Sequence, residues 1–226
     1  MNFHQIIDSE TARQGIYRIF SDCYHLPDKS MPEKLEKLEK QLVRLNSKAD
    51  SHVSQMQVEL ASMDDYDSLK IDFSRLLIGP YSLPAPPYGS VYLEKERKVM
   101  GDSTLDVEAR YEQFGLGLSK DFKNVPDHIA AELEFMFFLI YKEIDSIQSD
   151  DPLQAVDFLL GQESFLQDHL NMWVPDFANC IIEHSGTDFY RHLVQATQLF
   201  IAEDLEYLNQ NNLSVIQTKK AHDAAI

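Results

Sequence analysis

The residues able to do chemistry are few and poorly grouped for catalysis. Eight histidines include no HExxH pair and no two at a four-residue spacing, and His169, His184 and His192 fall on separate segments. That spacing offers no metal triad. Neither Cys23 nor Cys180 sits in a basic cluster that would favour its thiolate, and no GxSxG elbow occurs. "GLGLSK" (Gly115–Lys120) has the wrong glycine spacing for a phosphate loop and follows a helix rather than a strand, so it reads as a helix C-cap. One polar pair remains, Asp127-His128 at a helix start. The aspartate suits capping of exposed N–H groups, and the histidine suits a pH-sensitive donor lining a groove. A small hydrolase built on this pair would lack a nucleophile.

The other unusual stretch is "RLLIGPYSLPAPPYGSVYLE", Arg75 to Glu94. It holds four of the nine prolines, two of the eight glycines and three tyrosines. Pro84, Pro86 and Pro87 can carry the chain as polyproline II between two helices, with Tyr81, Tyr88 and Tyr92 filling gaps. The same stiffness also suits a preformed peptide groove. Its φ angles are already fixed, so little ordering entropy is lost on binding, and the apolar helix end Phe73, Leu76 and Leu77 lies beside it.

The elements that must position these residues are helical. In "SMPEKLEKLEKQLVRLNS", Ser30 and Glu33 suggest a capping box, Pro32 falls in the first turn, and Leu35, Leu38, Leu42 and Leu45 form one seam. Tyr66, Leu69, Phe73, Leu76 and Leu77 mark a later helix that Gly79-Pro80 stops. Ser103 or Thr104 opens the helix that ends near Gly115, and "PDHIAAELEFMFFLIYKEIDSI" is long and apolar enough to be the central core element. The "SVYLE" run is at most an extended piece, and periodicity lapses after Asn211, where a frayed tail is expected. The pattern predicts an all-α fold of about eight or nine helices. One domain of two lobes is expected, approximately 1–124 and 125–211, with 212–226 as tail.

Charge separates the same halves. The net formal charge is −17; residues 1–124 contribute −4 (16 Lys+Arg, 20 Asp+Glu) and residues 125–226 contribute −13 (4 against 17). Such an acidic half disfavours nucleic acid and anionic lipid and steers basic peptides toward it. Two cysteines, no basic n-region and no apolar run near the ~20 residues of a bilayer span point to the cytoplasm.

"GPYSLPAPPYGSVYL", with "GDSTLDVEARYEQFGL", "VPDHIAAELEFM" and "HLNMWVPDFANCIIEHSGTDFYRHL", resembles the TorD/DmsD family of redox-enzyme maturation proteins, most closely its DmsD branch. The similarity runs from Phe73 to about Leu193; the first 60 residues match only as generic helices. The resemblance implies an all-helical cytoplasmic chaperone without enzymatic activity or cofactor. Its partner would be the twin-arginine leader of a molybdopterin oxidoreductase subunit, of the dimethyl sulfoxide or trimethylamine N-oxide reductase type, whose export is delayed until cofactor insertion is complete. The family's peptide-contacting positions fall here on Phe73, Leu76, Leu77, Tyr81, Pro86, Tyr88, Asp127 and His128. Relatives often carry tryptophan at the positions of Phe73, Tyr81 and Tyr88, and Asn124 stands where the family's hinge motif has glutamate. The resemblance also brings weak GTP binding as an alternative, regulatory role, and either a monomer or a domain-swapped dimer.

Overall fold

The computed structural model describes residues 3–80, 82–94, 98–117 and 125–223. Tyr81 and Asn124 therefore lie outside the described residues. The chain is all-α, with the order α1 (Phe3–Cys23), α2 (Met31–Arg44), α3 (Asp50–Ala61), α4 (Asp67–Phe73), a π-helical turn π1 (Ser74–Ile78), α5 (Gly89–Leu93), α6 (Asp102–Gln113), α7 (Ile129–Gln148), α8 (Pro152–Phe165), a second π-turn π2 (Leu166–Leu170), α9 (Asn171–His184) and α10 (Asp188–Asp223).

Helix α7 is the central element that its apolar run predicted. Ile129, Leu133, Met136, Leu139 and Ile140 are buried, with α1 along one side and α8 along another. The seam of α2 closes as expected: Leu35, Leu38 and Leu42 are buried and Leu45 packs partly against the core. The two halves of the sequence interlock, since α1 packs on α7 and α3 on α10 within one continuous apolar cluster.

Several ends differ from expectation for reasons that sequence spacing does not carry. Ser30 does not cap α2 with its side chain; its N–H and hydroxyl both donate to Asp28 instead. The first turn of α6 is held from outside by Glu94, whose carboxylate accepts from the Ser103 N–H (2.9 Å) and hydroxyl (2.8 Å). At the other end of α6 the expected glycine cap is present: Gly115 (φ 77°) and Leu116 donate to the carbonyls of Glu112 and Tyr111, closing a Schellman motif. "SVYLE" forms the single turn α5 rather than an extended piece, and α10 continues past Asn211 to Asp223.

Candidate functional site

A turn of five residues is too short to be stable alone, because the cost of helix nucleation is not repaid over so few hydrogen bonds. Helix α5 is held from 37 residues away: the Gly89 N–H donates to the Asp127 carbonyl (2.9 Å) and the Ser90 N–H to its carboxylate (2.7 Å). Asp127 is indeed a helix cap, but of α5 and not of the helix it precedes. The cap of α7 is His128, whose Nδ1 accepts from the Ala130 N–H (3.1 Å). With Ile129 donating to the Pro87 carbonyl (2.9 Å), these bonds make an antiparallel bridge between Tyr88 and His128. The edge of one ring meets the face of the other, with centroids 5.4 Å apart at 74°.

That bridge forms one side of a pocket of about 300 Å³. Phe73, Leu77 and Ile78 supply a second side from the α4–π1 turn, and Tyr24, His25 and Leu26 a third from the end of α1. Gly79, at φ 108°, ends the π-turn, and its N–H donates to the Ser74 carbonyl (3.0 Å). π-Turns inside helices are frequent at functional sites because they displace side chains from the regular face. Two large apolar side chains stand more than half exposed at the mouth, Leu26 at 53% and Ile78 at 62%.

Four of the sequence-predicted residues meet in this pocket: Phe73, Leu77, Tyr88 and His128. Leu76 does not; it is fully buried in the core and accepts through its carbonyl from the Ala85 N–H (3.4 Å). Pro86 is half-buried outside the lining, and Asp127 is buried behind the bridge as the α5 cap. Sequence reasoning missed Tyr24, His25, Leu26 and Ile78. The available signal was the pair of apolar residues beside chain breakers, Leu26 before Pro27 and Ile78 before Gly79.

The pocket's electrostatics follow from burial. His128 is pushed down to about 4 by burial, with His25 adding a smaller repulsion, so its imidazole is neutral at neutral pH. Since Nδ1 accepts, the proton resides on Nε2. The Tyr88 hydroxyl is raised by burial and by Asp127. Behind the bridge lies Glu132, fully buried, whose Oε2 accepts from Trp173 Nε1 (3.0 Å). Burial pushes its carboxyl well above the usual range, and Asp127 adds to the shift. The indole of Trp173 stacks on Tyr92 with centroids 5.7 Å apart. Gly89 fits this corner because a Cβ there would stand 3.1 Å from Trp173 Nε1 and 3.2 Å from Glu132 Oε1.

Among the described residues, no three His, Cys, Asp or Glu side chains group as metal ligands, and no helix is long and apolar enough to cross a membrane. His192 has a histidine neighbour that its spacing does not show: His52 on α3 and His192 on α10 approach Nδ1 to Nδ1 at 3.1 Å.

Comparison with known proteins places this geometry in context. The family model for the nitrate reductase delta subunit matches residues 28–179. The Tat proofreading chaperone DmsD of Salmonella typhi is 32% identical over 137 residues, 61% of this chain and 60% of the relative's length. A chaperone protein TorD from Psychrobacter sp. (strain PRwf-1) is 25% identical over 217 residues, covering 92% of this chain and 96% of that one. Among solved structures, a protein from Archaeoglobus fulgidus described as a redox enzyme maturation protein superposes with a TM-score of 0.50 at 21% identity, over 84% of this chain and 93% of its own, a likeness of fold. The curated DmsD relatives are matched over about 60% of their length. With a family model covering two thirds of the sequence and the proline-rich wall, the Tyr88–His128 bridge and the Trp173 helix all inside or bordering the matched region, the chain belongs to the nitrate reductase delta subunit family, in its TorD/DmsD group of maturation chaperones.

Proposed function

We propose that this protein is a chaperone for the twin-arginine leader of a molybdopterin oxidoreductase subunit, acting in the cytoplasm and holding the subunit back from export until its cofactor is in place. The observation that carries this reading is the pocket between Tyr24–Leu26, Phe73–Ile78 and the Tyr88–His128 bridge, open and rimmed by exposed apolar side chains. Relatives named Tat proofreading chaperone and TorD chaperone support it.

The lining refines which part of a leader would enter. Among the described residues it contains no carboxylate, Asp127 being turned away to cap α5, and His128 is neutral. A pocket of this volume and chemistry suits a leucine- or phenylalanine-sized side chain from the leader's apolar region, with the His128 Nε2–H available to a peptide carbonyl. The arginine pair would then lie outside the pocket, drawn by the −13 half of the chain. Calorimetry with a synthetic twin-arginine leader tests both points. Micromolar binding is expected, lost when the apolar leader residues become alanine, and merely weakened and less salt-sensitive when the arginines become glutamine. Absence of binding at high micromolar peptide, or indifference to Tyr88→Ala, would refute the reading.

A further inference from the structure

Among the described residues, the pocket wall formed by α4 and π1 has no helix packed along it as closely as α1 packs along α7. Its side-chain tethers converge on one corner of the fold, the turn between α9 and α10. Asp72, 4% exposed and next to Phe73, inserts its carboxylate into that turn. One oxygen accepts from the Ser185 hydroxyl (2.9 Å), the Thr187 N–H (3.0 Å) and the Thr187 hydroxyl (2.9 Å). The Gly186 N–H is shared between both oxygens at 3.0 and 3.1 Å, and Arg75 Nη2 donates to the second at 2.6 Å. Arg75 Nη2 also donates to the His184 carbonyl at the end of α9. The same corner holds the wall twice more: the Tyr190 hydroxyl donates to the Leu69 carbonyl (3.1 Å), and the Tyr190 ring lies 6.0 Å from that of Phe73.

A carboxylate that accepts several charge-assisted bonds fixes position as well as contributing energy. From this arrangement we infer that Asp72, clamped by Ser185, Gly186 and Thr187, is a positioning residue for the pocket. It sets the angle of the π-turn and thereby the separation of Phe73 and Leu77 from Tyr88 and His128, without itself touching the occupant. The inference rests on the peptide-binding reading above and deepens it: the "SGTD" turn after α9, 113 to 115 residues from Asp72 in sequence, becomes part of the binding machinery.

The test compares Asp72→Asn, Thr187→Val and the conservative Thr187→Ser, reading leader affinity by calorimetry and backbone hydrogen exchange segment by segment. An asparagine amide turns N–H donors toward N–H donors, so affinity should fall about tenfold or more, while loss of one hydroxyl in Thr187→Val should cost about threefold. Thr187→Ser keeps the hydroxyl and should bind as the unmodified chain does. Faster exchange should be confined to residues 68–78 and 184–190, leaving α1 and α7 protected. Unchanged affinity in folded Asp72→Asn would overturn the inference. So would exchange that rises equally in α1 and α7 in both Asp72→Asn and Thr187→Val, since the carboxylate would then stabilise the whole fold and not the wall. Should Asp72→Asn fail to fold, Thr187→Val alone decides between these outcomes. If the unmodified chain binds no leader, the functional reading fails by itself, and the exchange pattern still decides whether Asp72 anchors the wall.

Discussion

Two buried polar regions of this molecule are built on opposite plans. Around Arg13 every partner is in place: its guanidinium donates to Glu10, to both oxygens of Asp204 (2.6 and 3.0 Å) and to the Gln162 carbonyl oxygen (2.9 Å), while Tyr17 donates to Asp204 (2.8 Å) and Gln162 to Glu143 (2.6 Å). Behind the Tyr88–His128 bridge, by contrast, Asp127 Oδ1, Glu132 Oε1 and Ser90 Oγ are buried without a protein hydrogen-bond partner among the described residues. A completed network ties α1, α7, α8 and α10 into one arrangement; an incomplete one stores unspent hydrogen-bonding capacity. The difference separates a network closed by its own side chains from a corner that is not, and that corner is the one that backs the pocket.

The sharpest way to break the comparison is Arg13→Ala. Three acids, Glu10, Glu143 and Asp204, would be left around an uncompensated buried site, and removing one partner of such a network costs about 3–5 kcal/mol. Chemical denaturation should show that loss, with leader affinity of the folded protein little changed because no residue of the network lines the pocket. A comparable loss from Trp173→Phe would erase the distinction between the regions.

The two regions should also differ in their response to pH, since only the pocket holds a depressed histidine. In the Arg13 network, burial and the charges of Glu10 and Asp204 raise Glu143 to about 8 from an ordinary 4.5. The folded state then holds a proton that the unfolded state has released, so stability falls as pH rises from about 4.5 toward 8. At the pocket, His128 is depressed to about 4 from 6.5. Below 6.5 the unfolded chain binds a proton that the fold refuses, so stability is fully present above that value and is lost as pH falls toward 4, by on the order of 3 kcal/mol. Glu143→Gln should lessen the alkaline decline, to which the raised carboxyl of Glu132 also contributes, and leave the acid limb. His128→Asn, which retains a capping acceptor, should flatten the acid limb and leave the alkaline one. Denaturation midpoints measured from pH 4 to 8 separate the two; a variant that moves the wrong limb would show that the regions are coupled.

Much of this was legible in the sequence, and the limits have a physical pattern. The leucine seam of α2, the apolar run of α7 and the Gly115 cap are local signals, readable because their partners lie within a few residues. Phe73, Leu77, Tyr88 and His128 do meet in one pocket. What escaped depends on bonds across long sequence gaps: Asp127 capping α5, Glu94 holding α6 and Asp72 entering the α9–α10 turn. Tyr24, His25 and Leu26 were missed as site residues because a helix end before a proline, the one local signal there, reads the same whether it faces a core or a pocket. Leu76 shows the converse: its spacing matches its neighbours, yet the π-turn leaves it in the core while Leu77 and Ile78 reach the pocket.

The smallest and most local probe is Gly89→Ala. At this position φ is unremarkable for an L-residue, so strain comes only from space: the new methyl would press on Trp173 Nε1 and Glu132 Oε1 at 3.1 and 3.2 Å. Small overpacking of this kind costs about 1–2 kcal/mol when neighbours must shift. Here the shift has a direction. Trp173 and Glu132 are joined by one hydrogen bond, and α5, which carries Gly89, is held by Asp127. Relief therefore comes either by breaking the indole bond or by moving α5 away from its cap. Trp173 is the single tryptophan, so its fluorescence reports the first directly. A change in emission with leader affinity preserved would show that the polar corner absorbs the strain, as its unspent oxygens predict. Unchanged emission with weakened leader binding would show that α5 and the Tyr88–His128 bridge move instead, making the corner as rigid as the Arg13 network and removing the contrast between them.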